Sequence, residues 1–158
     1  MGLTDYSDLE KEVTSAEAPK ILPKGSEVKA RIIGVNSGRS AKNSDCLWFS
    51  PRFDVPDQPM VVEFNTFFWD LIEAKTKVDP KQVERNKYSF SQFVKAFGID
   101  LSKPFDWEVD LPGKTGYVQV GIQHSDQYGD QNTVSKFVAG SAGNAAAGGS
   151  LDSNDLPY

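Results

Sequence analysis

The order of its hydrophobic patterns constrains this chain more than any other feature. Apolar and polar residues alternate over 27–35, 46–55 and 60–67, the period-two pattern of half-buried strands. From Phe68 onward the apolar residues recur at the helical period, and alternation returns over 117–123 and 133–138. The sequence therefore predicts three strands, a helical insert and two further strands.

Several signals divide the helical insert. The helical spacing of Phe68, Leu71, Ile72 and Lys75 comes first, and a charged segment broken at Asp79-Pro80 follows it. The spacing of Ser89 and Gln92 is that of a capping box and predicts a helix start, and Gly98 predicts its end. The face of this helix that packs on the core is expected to consist of Phe90, Phe93, Val94 and Phe97.

This order of elements is that of a mainly β protein with a helical insert. It matches a five-stranded OB-fold-like barrel, in which helices lie between strands 3 and 4. A generic α+β sheet is the alternative. Pro51, within the second strand, indicates a sheet edge or a bulge, because proline cannot donate to a ladder.

The distribution of charge divides the chain into four segments. The net charge is −5, yet residues 20–138 hold 16 basic and 15 acidic side chains. The excess acid lies in an N-terminal arm, 1–19, and in the last residues of the chain, 151–158. Between domain and tip, residues 139–150 contain only Gly, Ala, Ser and Asn, which is typical of a flexible linker. A nearly neutral domain leaves nucleic-acid binding open despite a pI near 4.9.

Other features point to the cytoplasm. No apolar run is long enough to span a membrane, and the first residues are too acidic and polar for a secretory signal. The single cysteine, Cys46, excludes an internal disulfide and favours a reducing compartment.

Residues that could support catalysis are few. The lone histidine, His124, has no partners of a nucleophilic triad in its pattern, and Pro112-Gly-Lys-Thr115 lacks the first glycine of a phosphate-binding loop. Asp106, Glu108 and Asp110 alternate and are expected on one strand face, where they bind a cation or protect an edge. We therefore expect a protein that is not an enzyme and that uses neither metal nor cofactor.

Binding of single strands needs aromatic faces for bases and cations for phosphates. The predicted strands place such residues opposite the core set, and the two long loops add others. The candidates are Lys29, Arg31, Trp48, Arg52, Tyr117 and Lys136 on strands, and Arg39, Lys42 and Tyr128 in loops. The alternative is that Trp48 and Tyr117 belong to a second small core under the helices, and that the charges are only solvated.

In the order of its elements and in its last residues, the chain resembles single-stranded DNA-binding proteins, particularly small phage-encoded ones. The resemblance covers 24–138, including the segments 111–120 and 131–137, and it extends to the end of the chain. Bacterial members end in a Gly-rich linker and an acidic tip with the sequence Asp-Ile-Pro-Phe, and this chain ends Asp155-Leu156-Pro157-Tyr158. The resemblance implies that the tip recruits replication or repair proteins through Asp152, Asp155, Leu156, Pro157 and Tyr158.

These observations together predict a protein that binds single-stranded DNA without strong sequence preference during phage replication and recombination, in the host cytoplasm and away from membranes. A protein–protein adaptor of the same machinery is one alternative. A metal-dependent nuclease using the acids near 57–63 or 106–110 is the other.

Overall fold

The computed structural model of the protein describes residues 2–138, and within them a mainly antiparallel sheet packs against helices. The strands are β1 (Glu27–Ser40), β2 (Cys46–Asp54), β3 (Phe64–Asn65), β4 (Phe68–Trp69), β5 (Thr115–Ser125) and β6 (Gly129–Val138). The helices are α1 (Glu10–Thr14), α2 (Leu71–Lys77), α3 (Pro80–Phe97) and α4 (Trp107–Asp110).

The sheet is open. Its strand order is β3-β2-β1-β5-β6, with β4 also paired to β2. At the two ends of this order, β3 and β6 approach each other, but no ladder joins them within the described residues. The expected mainly β architecture with a helical insert is confirmed, whereas the expected closure into a barrel is not.

The first strand is longer than the sequence indicates. The polar stretch 36–40, expected as a loop, stays in β1 because it pairs residue by residue with the start of β2, from Asn36↔Ser50 to Ser40↔Cys46. The chain turns only at 41–45, where Ser44 and Asp45 adopt positive φ values of 56° and 60°. Arg39 is therefore a strand residue, contrary to expectation.

The expected third strand, 60–67, is mostly not a strand. Only Phe64–Asn65 forms a ladder with β2, because 60–62 bonds instead to Lys20 near the start of the domain. The next residues, Phe68–Trp69, form β4 opposite Phe49 and Trp48, so the predicted helical start at Phe68 is wrong. Pro51 lies opposite the break between β3 and β4, and its carbonyl accepts from the Thr66 N–H there. Because proline has no N–H to donate, the ladder can be interrupted at this position without loss of a hydrogen bond from Pro51.

The helices begin earlier than the capping-box signal predicts. Asp70 caps α2 through the Glu73 N–H, and Asp79 caps α3 through the N–H groups of Lys81 and Gln82. Pro80 fits the first turn of α3, where no intrahelical N–H bond is lost. Ser89 therefore lies inside α3, and the predicted start there is wrong.

The predicted end of α3 is confirmed. Gly98 closes the helix with a left-handed φ of 68°. Beyond it, Asp106, Glu108 and Asp110 do not share a strand face as expected. They lie on the helical turn of α4, because the Asp106 carboxylate accepts from the N–H groups of Glu108 and Val109 and starts a helix.

The main core lies between one face of the sheet and the second half of α3. Phe93 and Phe97 contact Phe53 and Phe137, with ring centroids 5.1–6.4 Å apart. The predicted apolar face of α3 is thus confirmed, with Phe90 half-buried beside it. Burial of each such side chain contributes about 1.5–3 kcal/mol.

A second, smaller core lies on the other face of the sheet. It consists of Cys46, Trp69, Ala74, Val78 and Val83, with Trp48 and Leu71 partly buried against it. Helices α2 and α3 thus cover one end of the face that is opposite the main core. For Trp48, the alternative of a second small core is therefore partly realised.

Candidate nucleic-acid interface

One face of the sheet collects most of the predicted binding residues. Residues paired directly across an antiparallel ladder point to the same side. By that rule the pairs Lys29↔Tyr117, Gln119↔Lys136 and Gly34↔Arg52 lie on the side away from the main core. We call this surface the outer face, defined by Lys29, Arg31, Trp48, Arg52, Tyr117 and Lys136.

Two arginines of the outer face are already engaged with carboxylates. Arg31 donates two hydrogen bonds to Asp54, at 3.1 and 2.6 Å, and this hydrogen bonding raises the pKa of Arg31. Arg52 lies 3.3 Å from Glu63. Lys29 is exposed and forms no ion pair with any described residue. A phosphate would therefore have to compete for the arginines but not for Lys29.

Two glycines of β1 make room for large side chains of the outer face. The guanidinium of Arg52 lies over Gly34, where its Nε is buried and has no hydrogen-bond partner among the described residues. The Trp48 ring lies over Gly38, and a Cβ there would come within 2.7 Å of Trp48 Cζ2. A Cβ at either position would displace the side chain that now lies over it.

Beside Trp48 lies an exposed phenylalanine that the sequence interpretation did not select. Phe67 is 42% exposed, with its ring centroid 5.7 Å from that of Trp48 and 4.9 Å from that of Trp69. Asn86 of α3 fixes this segment, since its Oδ1 accepts from the Trp69 N–H and its Nδ2 donates to the Phe67 carbonyl. The backbone that presents the Phe67 ring is thus held in place.

A shallow depression of about 300 Å³ lies between this segment and α3. We call it the aromatic groove, lined by Phe67, Trp69, Gln82, Arg85, Asn86 and Ser89. The four helical residues of the lining recur at the spacing i, i+3, i+4 and i+7, and so share one face of α3. This spacing is visible in the sequence, although it did not enter the prediction of binding residues. Lys81 and Arg85, one turn apart, are exposed and form no ion pair within the described part of the chain.

Arg39 and Lys42 do not join the outer face. Arg39 pairs in the ladder with Leu47, on the other side, and its guanidinium donates to Glu73 and to the Asp45 carbonyl. Hydrogen bonds from Lys77 and then Arg39 lower the pKa of Glu73 to about 2. Arg39 is therefore occupied by a structural contact, while Lys42 is exposed in the turn at 41–43.

Tyr128 lies at the tip of the β5–β6 hairpin and is 67% exposed. It lines a separate cleft of about 250 Å³ with Phe64 and Asn65, where β3 and β6 approach without pairing. His124 is exposed in the same hairpin, with its Nδ1 2.9 Å from Asp130 and its Nε2 3.5 Å from Asp126.

Two further observations concern metal-ligating and thiol side chains. No group of three or more His, Cys, Asp or Glu side chains within 2–138 could hold a metal ion. Cys46 is buried, and this burial raises the pKa of its thiol.

The predicted tip, Asp152, Asp155, Leu156, Pro157 and Tyr158, lies outside the described residues, as does the linker before it. Among the helices in 2–138, none is long and apolar enough to cross a membrane. No family model matches the sequence, and no curated protein matches it.

Proposed function

We propose that this protein binds single-stranded DNA without strong sequence preference, along the outer face and into the aromatic groove. The observation that carries the proposal is the register of the sheet, which sets Tyr117 beside Lys29 and puts Lys136 on the same face. At the other end of that face, Trp48 and the exposed Phe67 continue the aromatic surface.

The residue types suit a single strand better than a duplex. Bases stack on aromatic rings and phosphates contact cations, and neither contact reads a base edge. Tyr117 and Phe67 would stack bases, while Lys29, Lys136 and Arg85 would contact phosphates. Gln82 and Ser89 in the groove offer hydrogen bonds to whichever base enters.

We infer an OB-like module from the order of the elements. β1 pairs with β2 and β5, β5 pairs with β6, and helices α2, α3 and α4 lie between β4 and β5. The approach of β3 to β6 supports this inference, because a ladder there would close the sheet.

The resemblance at the end of the chain extends the proposal to partners. The tip, including Asp155 and Tyr158, would recruit replication or repair proteins of a phage-infected cell while the domain holds DNA. Such a role assigns the protein to the host cytoplasm.

Titration with oligo-dT, followed by tryptophan fluorescence, tests DNA binding. Quenching that saturates and is reversed by salt is the expected result, because Trp48 lies on the proposed path. Phe67→Ala should lower the affinity about tenfold, since stacking of one base on an aromatic ring is worth about 1–3 kcal/mol.

Ile72→Ala is the matched control, because Ile72 is 81% exposed on α2 and lies outside the groove lining. The proposal is contradicted if oligo-dT causes no quenching at low salt, or if Phe67→Ala and Ile72→Ala lower the affinity for oligo-dT equally. Degradation of the oligonucleotide in Mg²⁺ would instead favour the nuclease alternative, and saturable binding of a replication protein alone would favour the adaptor.

A further inference from the structure

The N-terminal arm presents an apolar stripe that nothing in the described structure covers. A turn of 3-10 helix at Ser7–Leu9 leads into α1, so Tyr6, Leu9 and Val13 fall on one side. These side chains are 64%, 42% and 63% exposed, and no residue from Gly2 to Lys20 is buried. An apolar stripe on a short helix is typical of a docking element.

The same arm is strongly acidic. Residues 2–19 hold five carboxylates and one lysine, a net charge of −4. A two-turn helix is too short to be stable alone in water, since isolated helices need roughly 12–15 residues. A surface that is both apolar and cationic would stabilise this helix.

The aromatic groove is a surface of that kind. Phe67 and Trp69 provide an apolar floor, with Phe67 42% exposed. Arg85 in the lining, and Lys81 one helical turn before it and outside the lining, are exposed cations that form no ion pair with any described residue. The groove and the arm are thus complementary both in charge and in apolar surface.

We propose that the acidic arm of one copy of this protein binds the aromatic groove of a second copy. Each chain carries both an uncovered arm and an uncovered groove, so reciprocal exchange covers all four surfaces and closes a two-fold dimer. The arm projects from a fixed base, because Lys20 exchanges two backbone hydrogen bonds with Met60 and Val62, each at 2.8 Å. The arm and the proposed DNA path share this groove, so DNA would compete with the arm for it, but the dimer itself does not depend on DNA binding.

Sedimentation velocity of the full chain over a concentration series, without DNA, tests the inference. We expect a reversible monomer–dimer equilibrium that weakens as salt rises. Arg85→Glu should raise the dissociation constant at least about tenfold, because like charges facing each other across an interface are strongly unfavourable. Leu9→Ser with Val13→Ser should do the same by removing the apolar stripe. The matched controls are Lys95→Glu on α3 and Leu101→Ser, both at exposed positions outside arm and groove.

A mixing experiment decides whether the arm acts between copies. Glu10→Lys with Glu12→Lys brings the net charge of residues 2–19 from −4 to 0 and should leave the chain monomeric, as should Arg85→Glu. Mixed together, the two chains should form a heterodimer, because the unchanged acidic arm meets the unchanged groove, and the lysines introduced into one arm meet the glutamate introduced at position 85 of the other chain. Circular dichroism confirms that every variant is folded.

Three results would overturn the inference. One is a wild-type chain that stays monomeric at its highest soluble concentration. Another is a dimer that Arg85→Glu and the double serine variant leave unchanged. The third is a mixture of the two charge-substituted chains that stays monomeric, which would place the arm on its own groove or on another surface.

Discussion

At the scale of the residue, the carboxylate of Glu73 connects three elements of the structure. Its oxygens accept from Arg39, Lys77 and the Leu47 N–H, and so join the end of β1, the start of β2 and α2. These contacts lower its pKa from 4.5 to about 2. A lowered pKa in the folded state stabilises the fold above the unfolded value and loses that effect as the pH falls.

Glu73→Gln should therefore destabilise the protein at pH 7, and the difference from wild type should shrink as the pH falls from 4.5 towards 2. Urea denaturation at several pH values measures this difference, and glutamine keeps an oxygen that can accept from the Leu47 N–H. Glu84→Gln is the control, because Glu84 forms only an exposed ion pair with Lys87. A difference that does not vary with pH would argue against the ionic origin of the effect.

At the scale of the element, Gly116 of β5 lies directly against the backbone at the end of α3. A Cβ at Gly116 would lie 2.6 Å from the Ala96 carbonyl oxygen and 3.0 Å from Phe97 Cδ1. The clash is with helix backbone, which cannot move without shifting α3 from the main core. Gly116→Ala should lower the free energy of unfolding by about 1–3 kcal/mol, the usual cost of overpacking.

Gly121→Ala tests the same substitution further along β5. There the new Cβ would lie 3.4 Å from Thr133 Oγ1, a side-chain atom that can shift slightly. Guanidinium denaturation of both variants measures the contrast. If both variants lose the same free energy of unfolding, the two substitutions act through strand propensity and not through the contact of Gly116 with α3.

Elements with strong local signals were predictable from the sequence. The alternation in β1, β2 and β5 and the glycine that ends α3 each depend on neighbouring residues alone. The short strand β4 was not predictable in this way. Phe68 fits a helical pattern with the residues that follow it. Pairing with Phe49 and Trp48 instead places Phe68 and Trp69 in the sheet, where each ring enters a different core. Tertiary packing here overrides local periodicity.

At the scale of the whole molecule, the outer face followed from strand alternation, while the aromatic groove did not. The groove exists because α3 crosses beside β4, and Asn86 fixes that crossing through two hydrogen bonds. Ion pairing was also beyond the sequence pattern. The alternation places Arg31 on the outer face, but it does not show that Arg31 forms an ion pair with Asp54 of the adjacent strand.

The ion pair between Arg31 and Asp54 leads to a prediction about charge on the proposed DNA path. Asp54→Asn removes the carboxylate that holds Arg31 at 2.6 Å, and so releases a cation to phosphate. The affinity for oligo-dT should rise several-fold, and the log–log salt dependence should steepen by about 0.7, the increment for one further phosphate contact on a single strand. The stability should change by no more than about 1 kcal/mol, because the pair is exposed.

Asp57→Asn is the matched control, since it makes the same change in net charge at an exposed turn residue that pairs in no ladder with the outer face. If net charge alone attracts DNA, both variants will gain affinity equally and neither will change the salt slope by a full contact. If the outer face binds the phosphates, only Asp54→Asn will gain a contact. Titrations at four or more salt concentrations separate these outcomes, because the slope counts released counterions, whereas the affinity alone does not.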